Sequence, residues 1–162
     1  MNRRPGPRDE RAVSITVTHA LTIGITTILI SGLLLSAGGM LERETERSTD
    51  QSLETIGERL AGEIQSVDRM AGDDGQVNVT TDHPRRIGSR AYTVSLGTGD
   101  DCDGPLLEDG SDCVILTLRD DAPVYVPLET DADLETDSSV RGGGIEVSYD
   151  GDDDEIRLER AY

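Results

Sequence analysis

The sequence predicts an α+β protein in which a long N-terminal helix, with a transmembrane half and an amphipathic half, packs against a small antiparallel β-sheet domain. The first half of the helix is predicted by an uncharged stretch from Ala12 to Leu41. The second half is predicted by apolar residues that recur every three or four positions up to Ala71. From Gln76 onward apolar and polar residues alternate, which indicates strands with one buried face.

Composition limits the class of protein. The chain has 162 residues, with 33 Asp or Glu against 15 basic residues, and its formal net charge is −18. A surface this acidic repels polyanions, so a free nucleic-acid-binding protein is excluded. Every basic residue is Arg, and a lysine-free, aspartate-rich composition is typical of proteins that stay soluble in molar salt. We therefore expect a halophilic source.

The uncharged stretch is long enough to cross a membrane. A helix of this length extends about 45 Å, against a hydrocarbon core of about 30 Å. The residues before the stretch carry four Arg against one Asp and one Glu, whereas those after it are strongly acidic. Because basic flanks stay on the cytoplasmic side, we expect a single-pass cell-membrane protein. Its predicted segments are a cytoplasmic leader over 1–12, a transmembrane helix over 13–41 and an extracellular remainder.

An amphipathic helix is predicted over 42–71. Its apolar residues lie on one face, with charged residues such as Glu54, Glu58, Arg59 and Glu63 on the other. The apolar residues are Leu53, Ile56, Leu60, Ile64, Val67 and Ala71. Nothing at Leu41 stops the preceding helix, so the two halves are predicted to be continuous. The glycines and aspartates from Gly72 to Gly75 end it.

An extracellular β domain is predicted over 76–162. Alternating segments predict strands around Tyr92–Leu96, Val114–Leu118, Val124–Val126, Ile145–Tyr149 and Ile156–Leu158. Pro123 and Pro127 mark the third of these as an edge strand. The polar, glycine-rich segment from Glu129 to Gly144 is predicted to be a loop. Such a sheet needs a partner for its apolar face, and the amphipathic helix is the obvious one.

Two cysteines, Cys102 and Cys113, lie in the part assigned to the outside, where a disulfide persists. They flank a turn-rich loop, and closing it would stabilise the fold by about 2 to 3 kcal/mol. We predict this disulfide; the alternative is two unpaired thiols. A zinc site is disfavoured because two thiols and the distant His83 do not supply four ligands.

The N-terminus resembles that of a known family. Arg11-Ala12-Val13-Ser14 follows a short charged leader and opens directly into the apolar helix. This looks like the class III signal peptide of archaeal type IV pilins, especially those of haloarchaea. The resemblance implies that prepilin peptidase, a membrane-embedded protease, cuts between Ala12 and Val13 and leaves the apolar helix as anchor and assembly surface. It also implies other pilin-like subunits as partners.

The resemblance has departures. Haloarchaeal pilins commonly continue Ser-Pro-Val-Ile-Gly, whereas this chain continues Ser14-Ile15-Thr16-Val17-Thr18. The early glutamate of bacterial pilins is also absent, since the fifth residue after the proposed cut is Val17. A minor or accessory pilin-like protein therefore fits better than a principal filament subunit.

A hydroxyl stripe offers a second argument for association. Ser14, Thr18, Thr22 and Thr26 recur every four residues and so share one helix face. In lipid such residues permit close helix approach and interhelical hydrogen bonds. The alternative is an unpartnered anchor whose hydroxyls bond their own helix carbonyls. His19, beside the stripe, lies close enough to the helix end to reach interfacial water.

Other candidate sites are few. Asn78-Val79-Thr80 fits the glycosylation sequon on the predicted outer side. Acidic clusters lack the spacing of a calcium loop and indicate a solvated halophilic surface, so no metal site is predicted. The sequence shows no nucleophile with a base and no phosphate-binding loop, so we expect no catalytic residue, no enzyme activity and no cofactor.

Two functional hypotheses follow. In the first, the chain is a membrane-anchored, surface-exposed pilin-like structural subunit whose partners are prepilin peptidase, other pilin-like subunits and the lipid bilayer. In the second, it is a singly anchored extracellular binding module that is not assembled into a filament. Removal of the leader is required by the first hypothesis only.

Overall fold

The computed structural model describes residues 8–71, 75–105, 107–119 and 121–161, with side chains described from Ile15 onward except at position 42. The chain divides into two compact units, Met1–Glu46 and Arg47–Tyr162. A single helix, α1 (Arg8–Met70), contributes to both. The α+β class predicted from the sequence is confirmed.

The first unit consists of the N-terminal part of α1. Every side chain described between Ile15 and Leu41 is exposed. The absence of Pro along this stretch allows uninterrupted backbone hydrogen bonding. The predicted transmembrane segment, 13–41, lies wholly within the helix.

The second unit begins with the amphipathic part of α1. Its predicted apolar stripe is confirmed, since Leu53, Leu60, Ile64 and Val67 are at most 1% exposed. The stripe follows the helical period, so these side chains point to one side. The helix ends at Met70, one residue before the predicted Ala71.

Eight strands follow the helix and form two four-stranded sheets. The first sheet has the order β1-β7-β8-β5 and the second β4-β3-β2-β6. The strands are β1 (Gln76–Asp82), β2 (Tyr92–Thr98), β3 (Asp112–Leu118), β4 (Val124–Leu128), β5 (Asp133–Leu134), β6 (Ser139–Arg141), β7 (Gly144–Asp150) and β8 (Glu155–Arg160). A short 3₁₀ turn, Gly99–Asp101, follows β2.

All five strand segments predicted from alternation are strands, and β4 with its two flanking prolines is a sheet edge as expected. The prediction of a loop over Glu129–Gly144 is wrong at two places, because β5 and β6 lie within it. Both are too short for alternation to be visible. They form because β8 and β2 each offer an unpaired edge, β5 pairing in parallel and β6 antiparallel.

One hydrophobic core joins the helix to both sheets. It includes Leu60 and Ile64 of α1, Val94 of β2, and Ile145 and Ile156 of the other sheet. With no Phe or Trp in the chain, the aliphatic residues fill this core together with Tyr92 and Tyr149. The β domain thus contains two sheets rather than the single sheet expected, and apolar residues of both share one core with α1.

Candidate functional site

The apolar N-terminal part of α1 is the most unusual surface of the molecule. Large aliphatic side chains are exposed all round the helix, among them Ile28 at 72%, Leu33 at 70% and Leu35 at 80%. A contiguous apolar surface of this extent is not stable against water and marks a contact with lipid or protein. This segment is therefore the candidate functional site.

Its length and composition fit a membrane. Among the residues that the structure describes, one helix is long and apolar enough to cross a bilayer, and it lies near the N-terminus. A helix satisfies its backbone donors and acceptors internally, which is the condition for spanning hydrocarbon. Single-pass membrane anchoring is compatible with this geometry.

Two hydroxyls of the stripe donate hydrogen bonds within the helix. Thr22 Oγ1 donates to the Thr18 carbonyl oxygen at 2.8 Å, and Thr26 Oγ1 donates to that of Thr22 at 2.7 Å. These bonds use the O–H donors of Thr22 and Thr26, whose hydroxyl oxygens can still accept a hydrogen bond. The side chain of Ser14, the first member of the stripe, lies outside the described side chains. The stripe is thus compatible both with association and with an unpartnered anchor.

The predicted processing residues precede this surface. Arg11, Ala12 and Val13 belong to α1 by their backbone, but their side chains lie outside those described. His19 is exposed on the same helix, one residue beyond Thr18.

Comparison with known proteins places the chain in a family. A family model described as a family of unknown function, DUF7266, matches residues 8–160. The chain belongs to this family. The DUF7266 match includes residues of both compact units. No curated protein and no solved structure matches the chain.

The β domain of this DUF7266 chain contains the predicted disulfide. Cys102 and Cys113 are bonded, with Sγ atoms 2.00 Å apart and Cα atoms 5.9 Å apart. Cys113 lies on β3 and is fully buried, and Cys102 directly follows the 3₁₀ turn. The bond closes the connection from β2 to β3 beside the end of the sheet.

Asn78 is accessible on the surface. It is exposed on β1, an edge strand, and pairs with Ser148 of β7. Its side chain points away from the core because the burial of β1 alternates, with Val77 and Val79 facing inward. Its exposure supplies the steric access that glycosylation needs.

The structure contains a buried polar cluster that was not predicted from the sequence. Glu63, predicted on the exposed face of the helix, is half-buried and accepts a hydrogen bond from Thr81 Oγ1 at 2.7 Å. Its other oxygen lies 3.2 Å from Nε2 of His83. His83, predicted in a loop, is in one, but its side chain is 1% exposed. No local sequence pattern indicates this cluster, because Glu63 lies 18 residues from Thr81 and 20 residues from His83.

In the described part of the chain, no group of three or more His, Cys, Asp or Glu side chains is arranged to hold a metal ion.

Proposed function

We propose that this DUF7266 chain is a membrane-anchored, surface-exposed pilin-like structural subunit, minor or accessory in its assembly, that prepilin peptidase processes. The exposed apolar helix supports the proposal most directly. It is followed in the chain by a compact β domain in which a disulfide closes the connection from β2 to β3. A helix that serves as both anchor and assembly surface must keep its apolar side chains uncovered, as these are. The proposal assigns no catalytic role to the chain.

The proposed orientation places 1–12 in the cytoplasm and the β domain outside the cell. The basic leader supports it through the positive-inside rule, and the Cys102–Cys113 disulfide supports it through the redox difference between compartments. The accessible sequon at Asn78 is consistent with an outer location.

Cleavage between Ala12 and Val13 is the feature on which the proposal depends. An Ala12→Asp variant should insert normally but stay uncut, because a charged side chain obstructs a pocket made for a small residue. It should be about 1.3 kDa heavier than the cut chain, taking a residue as about 110 Da. Ala12→Ser, which keeps the position small, is the matched control and should be cut. Intact-mass spectrometry of membrane fractions measures the masses of the wild type and of both variants.

An N-terminus at Val13 in the wild type supports the pilin-like subunit. An intact leader in cells with active peptidase would contradict the pilin-like hypothesis and favour the singly anchored extracellular binding module.

Orientation is tested separately. The only two cysteines are joined to each other, so Asp137→Cys introduces a single free thiol at an exposed position of the β domain. A membrane-impermeant maleimide should label it on intact cells. Labelling that requires lysis would reverse the proposed orientation.

A further inference from the structure

Basic side chains gather at one end of the β domain despite its acidic composition. Arg90, Arg119 and Arg141 lie beside the start of β2, the end of β3 and the end of β6, which the sheet register brings together. All three are exposed. We name this surface the arginine end. Arg85 is also at this end, because its side chain lies close to Gly143.

The three arginines line one concavity of about 670 Å³. Thr93 and Thr117 also line it and add polar groups between the guanidinium groups. Arg90 Nη1 donates to Asp121 Oδ2 at 2.6 Å, whereas the described structure gives Arg119 and Arg141 no carboxylate partner. Guanidinium groups in this arrangement suit carboxylates, which they bind in bidentate fashion.

Carboxylates gather at the opposite end of the β domain, a surface we name the acidic end. Asp152, Asp153 and Asp154 form the exposed turn between β7 and β8, held in shape by a 3.0 Å hydrogen bond from Tyr149 Oη to Asp154 Oδ1. Asp133 lies beside this turn, its backbone nitrogen donating to the Asp154 carbonyl oxygen at 2.9 Å. Burial and then the charge of Asp133 raise the pKa of Asp112, at the start of β3. This end therefore presents exposed carboxylates that suit a cationic surface.

The two ends cannot neutralise each other within one molecule. β7 starts beside the arginine end, where Gly142 donates to the Tyr92 carbonyl oxygen, and finishes at the acidic turn. Its seven residues put the ends roughly 20 Å apart. Complementary surfaces at opposite ends of one domain can contact each other only when they belong to two different copies.

We propose that the concavity of the arginine end binds the acidic β7–β8 turn of a second copy of this chain. The two surfaces differ, so the contact is head to tail and leaves a free surface of each kind for the next copy, as a linear assembly requires. The inference deepens the proposed function by naming the surfaces through which extracellular domains meet, and it rests on that function for the role of the assembly.

Charge reversal with rescue tests the contact on the full chain in detergent. Arg119→Glu/Arg141→Glu should weaken self-association, measured by sedimentation, on the order of tenfold or more. Arg47→Glu/Arg69→Glu changes the net charge equally at exposed helix positions and should have little effect. Mixing the Arg119→Glu/Arg141→Glu chain with the Asp152→Arg/Asp153→Arg chain should restore association between the two variants, although each alone self-associates more weakly than the wild type.

Cysteine cross-linking tests the geometry. Chains carrying Arg119→Cys and chains carrying Asp153→Cys should form a disulfide-linked heterodimer when mixed, and neither should do so alone. A chain with both substitutions should give a ladder of oligomers.

Three outcomes would overturn the inference. Equal weakening by the two double-arginine variants would mean that net charge alone matters. Failure of the mixture to associate would exclude the matched surfaces. Vesicle binding that requires anionic lipid and is lost in Arg119→Glu/Arg141→Glu, with self-association unchanged, would assign the concavity to lipid headgroups. The N-terminal mass of the same samples reports on processing independently, so an uncut leader with intact association would contradict the proposed function and not the contact.

Discussion

The imidazole of His83 lies 3.2 Å from the carboxylate of Glu63, measured from Nε2 to Oε2, and this contact ties the segment after β1 to helix α1. The second oxygen of Glu63 accepts from Thr81 Oγ1 and from Arg59 Nε. One carboxylate thus satisfies groups on two elements that the chain brings together only after folding. Removing it would leave His83 and Thr81 as buried donors without their partner.

Glu63→Ala should therefore destabilise the domain by about 1 to 3 kcal/mol, the usual cost of unsatisfied buried polar groups. Glu58→Ala, at an exposed position on the same helix, is the control and should stay within about 0.5 kcal/mol of the wild type. Urea unfolding of the full chain in detergent measures both. Equal stability of the two variants would show that the cluster contributes nothing.

Alkaline pH should destabilise the domain through Tyr92. Burial raises the pKa of Tyr92 above its ordinary value of 10.0, and its hydroxyl donates to the Pro84 carbonyl oxygen at 2.7 Å. The folded state holds this proton more tightly than the unfolded state. The contribution of Tyr92 to the free energy of unfolding is therefore complete below about pH 10, and it is lost as pH rises through the pKa of the folded state.

Tyr92→Phe should lose about 1 kcal/mol of stability at neutral pH, because the hydrogen bond to Pro84 is lost. It should also lack the part of the alkaline decline in stability that Tyr92 causes. Tyr125→Phe, at a half-buried position on β4, should keep it. Unfolding midpoints from about pH 8 to about pH 12 make the comparison. A decline of the same steepness in Tyr92→Phe would assign the alkaline loss to other groups.

Two helical glycines should respond to alanine in opposite directions. A Cβ on Gly57 would lie 2.6 Å from Val126 Cγ2 and 2.7 Å from Leu116 Cδ1, whereas one on Gly62 would meet nothing within 4 Å. Gly57→Ala should cost about 1 to 3 kcal/mol through overpacking. Gly62→Ala should gain about 0.5 to 1 kcal/mol from helix propensity. A thermal shift of the same sign in both would contradict the close approach of α1 to the sheet at Gly57.

Loss of the disulfide should destabilise the β domain. The bond joins residues 11 apart in sequence, and a loop of this size stabilises by about 2 to 3 kcal/mol. Cys102→Ser/Cys113→Ser should unfold at a lower temperature than the oxidised wild type and should be insensitive to reductant. Two titratable thiols in wild-type protein purified under oxidising conditions would refute the bond.

Much of the fold could be predicted because its signals are local. The apolar stripe of α1 from Leu53 to Val67 and the alternation in β2, β3 and β7 each depend on side chains within one element. β5 and β6 could not be predicted, because segments of two or three residues carry no visible period and pair only where another strand presents an edge. The same limit applies to the pairing of the predicted strands into two sheets.

By itself, the sequence determined the long helix, its exposed apolar part, the buried stripe, five of the eight strands and the cysteine pair, because composition and short-range periodicity fix which side chains prefer water. Only the tertiary structure decided that Glu63 meets His83 and that Arg90, Arg119 and Arg141 share one concavity. These residues lie 20 to 51 positions apart in the chain. Their meeting depends on strand order and register, which are set by the packing of the whole domain and by no segment of it alone.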